Sequence, residues 1–100
     1  MKKYIALFVA FLPLAASAQA TRVIVQKGRR FLPAQITIPR GERLTFTNQD
    51  EFIHQMYSDG LFDSDEKAPG EILNETFPRA GTFQVRCHIH PTMKLTVLVR

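Results

Sequence analysis

The run Cys87-His88-Ile89-His90-Pro91-Thr92-Met93 sets three different metal donors at three-residue intervals: a thiol, an imidazole and a thioether. A loop bent around an ion can turn Cys87, His90 and Met93 inward while the residues between them point away. Pro91 stiffens the bend and lowers the entropy lost in ordering it. A thiolate and two imidazoles in a near-trigonal plane, with a weak axial thioether, make a blue-copper electron-transfer centre. Zinc prefers four strong donors, and a thioether is a poor one for it. Covalent haem attachment needs two cysteines ahead of a histidine, and this chain has a single cysteine.

The loop supplies one imidazole, so the second must come from His88 or His54, the other histidines of the chain. His88 follows Cys87 in an extended segment, where successive side chains point to opposite faces. It therefore reads as a solvent-facing strand residue. His54 stands where a polar loop re-enters the β pattern, a position from which a distant strand can complete the set. The candidate ligands are His54, Cys87, His90 and Met93, for one copper ion cycling between Cu(I) and Cu(II). Met56, close to His54, reads as core.

The first twenty residues are of a different character. Lys2 and Lys3 precede an apolar run from Ile5 to Leu14, and small residues lead to Ala18-Gln19-Ala20. That is the pattern of a secretory signal peptide, with cleavage after Ala20 or Ala18; a retained N-terminal anchor is the alternative. Residues 1–20 are thus expected to be removed, leaving residues 21–100 as one small exported domain. Exported domains of this size usually staple themselves with paired cysteines, yet Cys87 has no partner. A lone thiol in an oxidising compartment needs protection, and a bound metal provides it. The formal net charge is +4, Lys2 and Lys3 included, and the basic residues are interspersed with acidic ones. The nearest approach to a patch is Lys27, Arg29 and Arg30, which is no nucleic-acid footprint.

The elements that must position these donors are strands. No stretch of helical periodicity free of Pro and Gly runs through the mature region. Short β-branched and aromatic segments alternate with turns instead. Strands are expected at Thr21 to Lys27, with Val23 and Val25 on one face, and at Gln35 to Ile38. Others follow at Arg43 to Asn48, with Leu44 and Phe46 inward, at His54 to Ser58 and at Ile72 to Phe77. Pro78-Arg79-Ala80-Gly81 reads as a hairpin-like turn into Thr82 to His88, with Phe83, Val85 and Cys87 on one face. Lys94 to Val99 closes the sheet beside it. About seven such strands make an all-β sandwich.

These residues resemble the cupredoxin family, and the short Cys-x-x-His-x-x-Met spacing is most similar to its amicyanin branch. Phe31-Leu32-Pro33, Ile36-Thr37-Ile38, Gly41 and Leu44-Thr45-Phe46-Thr47-Asn48-Gln49-Asp50 carry the likeness in the first half. Ala80-Gly81-Thr82-Phe83 leading into Cys87 carries it in the second. The resemblance implies a Greek-key β-sandwich with type 1 copper at one end, and electron exchange through the exposed edge of His90. Phe52, Ile53, Ile89 and Pro91 would form an apolar collar around that edge. One position departs from the family: Gln55 stands where an Asn commonly braces the two ligand loops.

The function expected on these grounds is a periplasmic carrier of single electrons between redox proteins, not an enzyme. It would be monomeric, with no nucleic-acid partner and no membrane attachment after signal cleavage. The runner-up is a periplasmic copper-handling protein that binds the ion and passes it on. A third reading is a copper-free β-sandwich adaptor.

Overall fold

The computed structural model describes residues 22–100, so the expected signal peptide lies outside the described residues. Among the described residues nine strands form two sheets: β1 (Arg22–Gln26), β2 (Phe31–Leu32), β3 (Gln35–Ile38), β4 (Arg43–Asn48), β5 (Met56–Ser58), β6 (Phe62–Asp63), β7 (Ile72–Thr76), β8 (Gly81–Cys87) and β9 (Lys94–Val99). One sheet runs β2-β1-β4-β7 and the other β3-β9-β8-β5-β6. The pairs β1–β4 and β3–β9 are parallel, which makes the chain cross between sheets rather than meander within one. The all-β sandwich expected from the sequence is the fold found. The two strands beyond the expected seven, β2 and β6, are two residues long, too short to show an alternation of their own.

Val23 and Val25 share a face of β1 as expected, and that face is the outer one. In β1, Val23 is half exposed at 51%, whereas Ile24 and Gln26 are fully buried. Val23-Ile24-Val25 is apolar on both faces, so period-two alternation cannot choose the inner one. Pairing with β4 chooses it, by setting Ile24 beside the buried Phe46. The turn after β7 is a correction: Pro78–Gly81 is no hairpin turn, because β7 pairs with β4 in one sheet and β8 with β9 in the other. Phe77, fully buried, is carried between the layers by this crossover.

The core lies between the sheets. Ile24, Leu44 and Phe46 from one layer meet Met56, Val85, Leu95 and Val97 from the other, all buried. A chain of aromatic contacts runs through it: Phe31–Phe46 at 6.2 Å, Phe46–Phe62 and Phe62–Phe77 each at 6.3 Å, and Phe77–Phe83 at 5.9 Å. All but Phe46–Phe62, which is tilted, meet edge-on, and such pairs add ~0.5–1.5 kcal/mol each beyond their buried area. The Phe46–Phe62 contact joins β4 of one sheet to β6 of the other.

Candidate metal centre

β8 and β9 are antiparallel neighbours, registered from Gly81 opposite Val99 to Arg86 opposite Lys94. The tight loop between them holds three donors. Cys87 closes β8 on its inward face and is 2% exposed. The Met93 amide donates to the His90 carbonyl at 3.0 Å, which closes the turn, and the Met93 side chain is buried. His54 stands two residues ahead of β5, the strand that pairs with β8 in the same sheet and sets Met56 opposite Cys87. The His54 backbone is pinned in both directions to Lys67, N–H to carbonyl at 3.0 Å and carbonyl to N–H at 2.7 Å.

The result is a cluster. Cys87 Sγ lies 3.6 Å from His54 Nδ1 and 3.8 Å from His90 Nδ1. The three donor atoms fall within 4.8 Å of one another. Both imidazoles present the same nitrogen to the thiol, so a single ion placed among the three atoms would have a donor from each residue. His54 is fully buried, while His90 is partly exposed. The Phe52 ring packs at 5.3 Å from the His54 ring and 5.0 Å from the His90 ring. Arg29 lies over the outer face of Phe52 at 5.3 Å. Burial lowers the pKa of His90, and the neighbouring His54 and Arg29 push it lower still, against the opposing pull of Asp50. A neutral imidazole keeps one ring nitrogen unprotonated, as a metal ligand must.

Hydrogen bonds fix the loops behind these donors. The Asn48 side chain donates to the carbonyls of Phe52 at 2.8 Å and Lys67 at 3.0 Å, and accepts the Asp50 amide at 2.9 Å. That one buried amide shapes the whole turn delivering His54. The Gln55 amide donates to Cys87 Sγ at 3.5 Å, and the His88 amide donates to the Gln55 carbonyl at 2.8 Å. Asp50 accepts three hydrogen bonds. They come from the Gly28 amide at 2.6 Å, the Arg29 amide at 3.2 Å and His54 Nε2 at 2.8 Å. Burial acts to raise the Asp50 pKa, but these donors outweigh it and hold the carboxyl below its ordinary value.

A family model described as a cupredoxin-like domain matches residues 3–99. The chain belongs to the cupredoxin family. The donor set of this cupredoxin, one thiol with two imidazoles and a buried methionine in the same loop, suits one type 1 copper ion. A plastocyanin from Sambucus nigra is 30% identical over 78 residues, covering 60% of this chain and 75% of its own. Amicyanin from Paracoccus versutus superposes with a TM-score of 0.75 at 23% identity, over 81% of this chain and 82% of that one, a likeness of fold. A Cu-containing nitrite reductase from Thermus scotoductus SA-01 gives 0.73 at 26% identity over 80% of this chain. The cupredoxin spans 22% of that enzyme's length.

The structure brings His54, Cys87 and His90 together and places Met93 in the loop that holds two of them. His88 stays apart: it is exposed, stacked on Tyr57 at 4.0 Å, with Nε2 2.9 Å from Asp63 Oδ1. Met56 is in the core. Gln55 braces the loops through its backbone, and its side chain donates to the Ser64 carbonyl at 3.1 Å. Sequence reasoning missed the part played by Asp50. The signal available was a carboxylate four residues ahead of a candidate ligand, which in an irregular loop predicts no contact by itself.

Proposed function

We propose that this cupredoxin is a type 1 copper carrier that exchanges single electrons with redox proteins of the periplasm, its metal held by His54, Cys87, His90 and Met93. The observation carrying the proposal is the convergence of Sγ of Cys87 with Nδ1 of His54 and Nδ1 of His90. Bound copper would supply reversible one-electron chemistry, and the protein's part is to hold a geometry acceptable to both oxidation states. His54 and Cys87 are fixed by the strands behind them, so little rearrangement need accompany transfer.

Contact with donor and acceptor would be made at the partly exposed His90. Phe52 packs on its ring, and Ile53 and Ile89, next to His54 and His90 in the chain, are 39% and 44% exposed. An apolar collar of this size excludes water from a short-lived contact without gripping the partner. We propose further that the protein acts as a monomer, as a carrier rather than a catalyst. Copper handling would require ligands that release the ion readily. The full burial of His54 and the backbone bracing by Gln55 speak for retention.

Loading the protein with Cu(II) is expected to produce the intense visible charge-transfer band of a copper–thiolate bond, and Cys87→Ala to abolish it. Copper bound without that band, at an affinity unchanged by Cys87→Ala, would rule out the type 1 reading. Rapid loss of Cu(I) to a competing chelator would favour copper handling instead.

A further inference from the structure

The β1–β2 turn and the buried histidine meet at one carboxylate. Lys27 and Arg30 exchange backbone hydrogen bonds at 3.1 and 3.2 Å around Gly28 and Arg29. These two central residues have φ of +62° and +57°, the left-handed pair of a type I′ turn. Arginine in that region is strained by ~1–2 kcal/mol. The conformation aims the amides of both residues at Asp50. Its Oδ1 takes Gly28, and its Oδ2 takes Arg29 together with His54 Nε2. Asp50 is 9% exposed and His54 is fully enclosed, so the pair interacts with little screening by water.

We infer that Asp50 is a positioning residue of the metal centre, which fixes the His54 proton on Nε2, aims Nδ1 at the metal and makes the ring a stronger donor to Cu(II) than to Cu(I). With Nε2 bonded to an acceptor that has no proton to give, a neutral His54 carries its hydrogen there. The Nδ1 lone pair is then bare and directed at Cys87 Sγ, 3.6 Å away. A negative charge on the far side of the ring pushes electron density toward Nδ1, and the more highly charged ion gains more from it. The turn amides hold the carboxylate in place, which gives the strained Arg29 a role in the centre without touching it. This inference rests on the copper reading above.

The test compares wild type, Asp50→Asn and Asp50→Ala at constant neutral pH. In the metal-free chain, nitrogen-15 spectra of the His54 ring are expected to show hydrogen on Nε2 in wild type and a mixture of tautomers in Asp50→Ala. Asp50→Asn keeps an acceptor but loses the charge. With copper, it is expected to retain the charge-transfer band, bind Cu(II) ~10–100-fold more weakly and raise the reduction potential. Each tenfold loss confined to Cu(II) corresponds to about 59 mV. An unchanged potential in Asp50→Asn overturns the inference, as does an Asp50→Ala chain whose His54 stays wholly Nε2-protonated. A wild type lacking the copper–thiolate band would instead sink the copper reading, while the metal-free spectra would still judge what Asp50 does to His54.

Discussion

The amide of Gln55 points at the sulfur of Cys87 across 3.5 Å, so the two ligand-bearing segments are joined at the donor atom itself. A second bond, from the His88 amide to the Gln55 carbonyl at 2.8 Å, locks the same pair of residues in register. Neither bond uses the glutamine side chain. Gln55→Ala should therefore keep the copper–thiolate band and lose only the bond to Ser64, at a cost of ~0.5–1.5 kcal/mol in denaturant unfolding. Disappearance of the band in that variant would show that the side chain braces the centre after all.

His88 lies next to Cys87 in sequence but on the opposite face, stacked on Tyr57 with an interplanar angle of 15°. His88→Ala is expected to leave the position and intensity of the band unchanged. The stacked pair contributes ~0.5–1.5 kcal/mol to stability, so a small drop in Tm should accompany the change. A bleached spectrum would mean that the strand face has been misassigned.

Metal binding and folding should be linked, because His54 and the Cys87–Met93 loop come together only in the folded chain. Copper at a hundred times its Kd adds ~2.7 kcal/mol by mass action. For a domain of this size that corresponds to a rise in Tm of roughly 10–20 °C. Calorimetry with and without copper measures it, and coincident transitions would contradict a site formed by folding.

Glu75 gives a pH signature separate from the metal. It stands opposite Leu44 in the β4–β7 pair, and burial raises its carboxyl pKa above the ordinary value of 4.5. The folded state therefore holds this proton more tightly than the unfolded chain does. Ionised Glu75 opposes folding at neutral pH and costs nothing well below pH 4.5. Glu75→Gln should raise the Tm of the metal-free protein at neutral pH, with the gain fading as the pH falls through that range. A gain independent of pH would point to packing rather than charge.

Phe46 touches Phe31 within its own sheet and Phe62 in the other. Phe46→Ala should cost ~3–5 kcal/mol, enough to leave the metal-free domain largely unfolded. Circular dichroism with and without copper would then show folding rescued by the ion. A metal-free variant as stable as wild type would contradict the central place given to this ring.

How far the sequence could be read depended on the range of the interaction. Cys87, His90 and Met93 were legible because one short loop carries all three and their spacing is itself the geometry. His54 was legible by elimination, since His88 had to face the other way. The strands with one apolar face, such as Arg43–Asn48, announced their inward residues directly. The inner face of β1 and the crossover after β7 were not legible, because each depends on which strand becomes the neighbour. Asp50 was hidden for the same reason. Its three donors lie in two loops, and two of them are backbone amides whose direction is set by the left-handed turn at Gly28 and Arg29.

The position of β9 has a consequence for the order in which the centre can be assembled. β9 is not at an edge: it is inserted between β3 and β8, parallel to one and antiparallel to the other. A ribosome or a translocation pore that has delivered everything up to Met93 has delivered all four candidate ligands, but not the strand that holds their loop closed. Until Lys94–Val99 emerges, β3 has no partner and the two halves of the second sheet are unjoined. A colour that depends on all four residues would thus report not merely that copper has arrived, but that β9 has taken its place between β3 and β8.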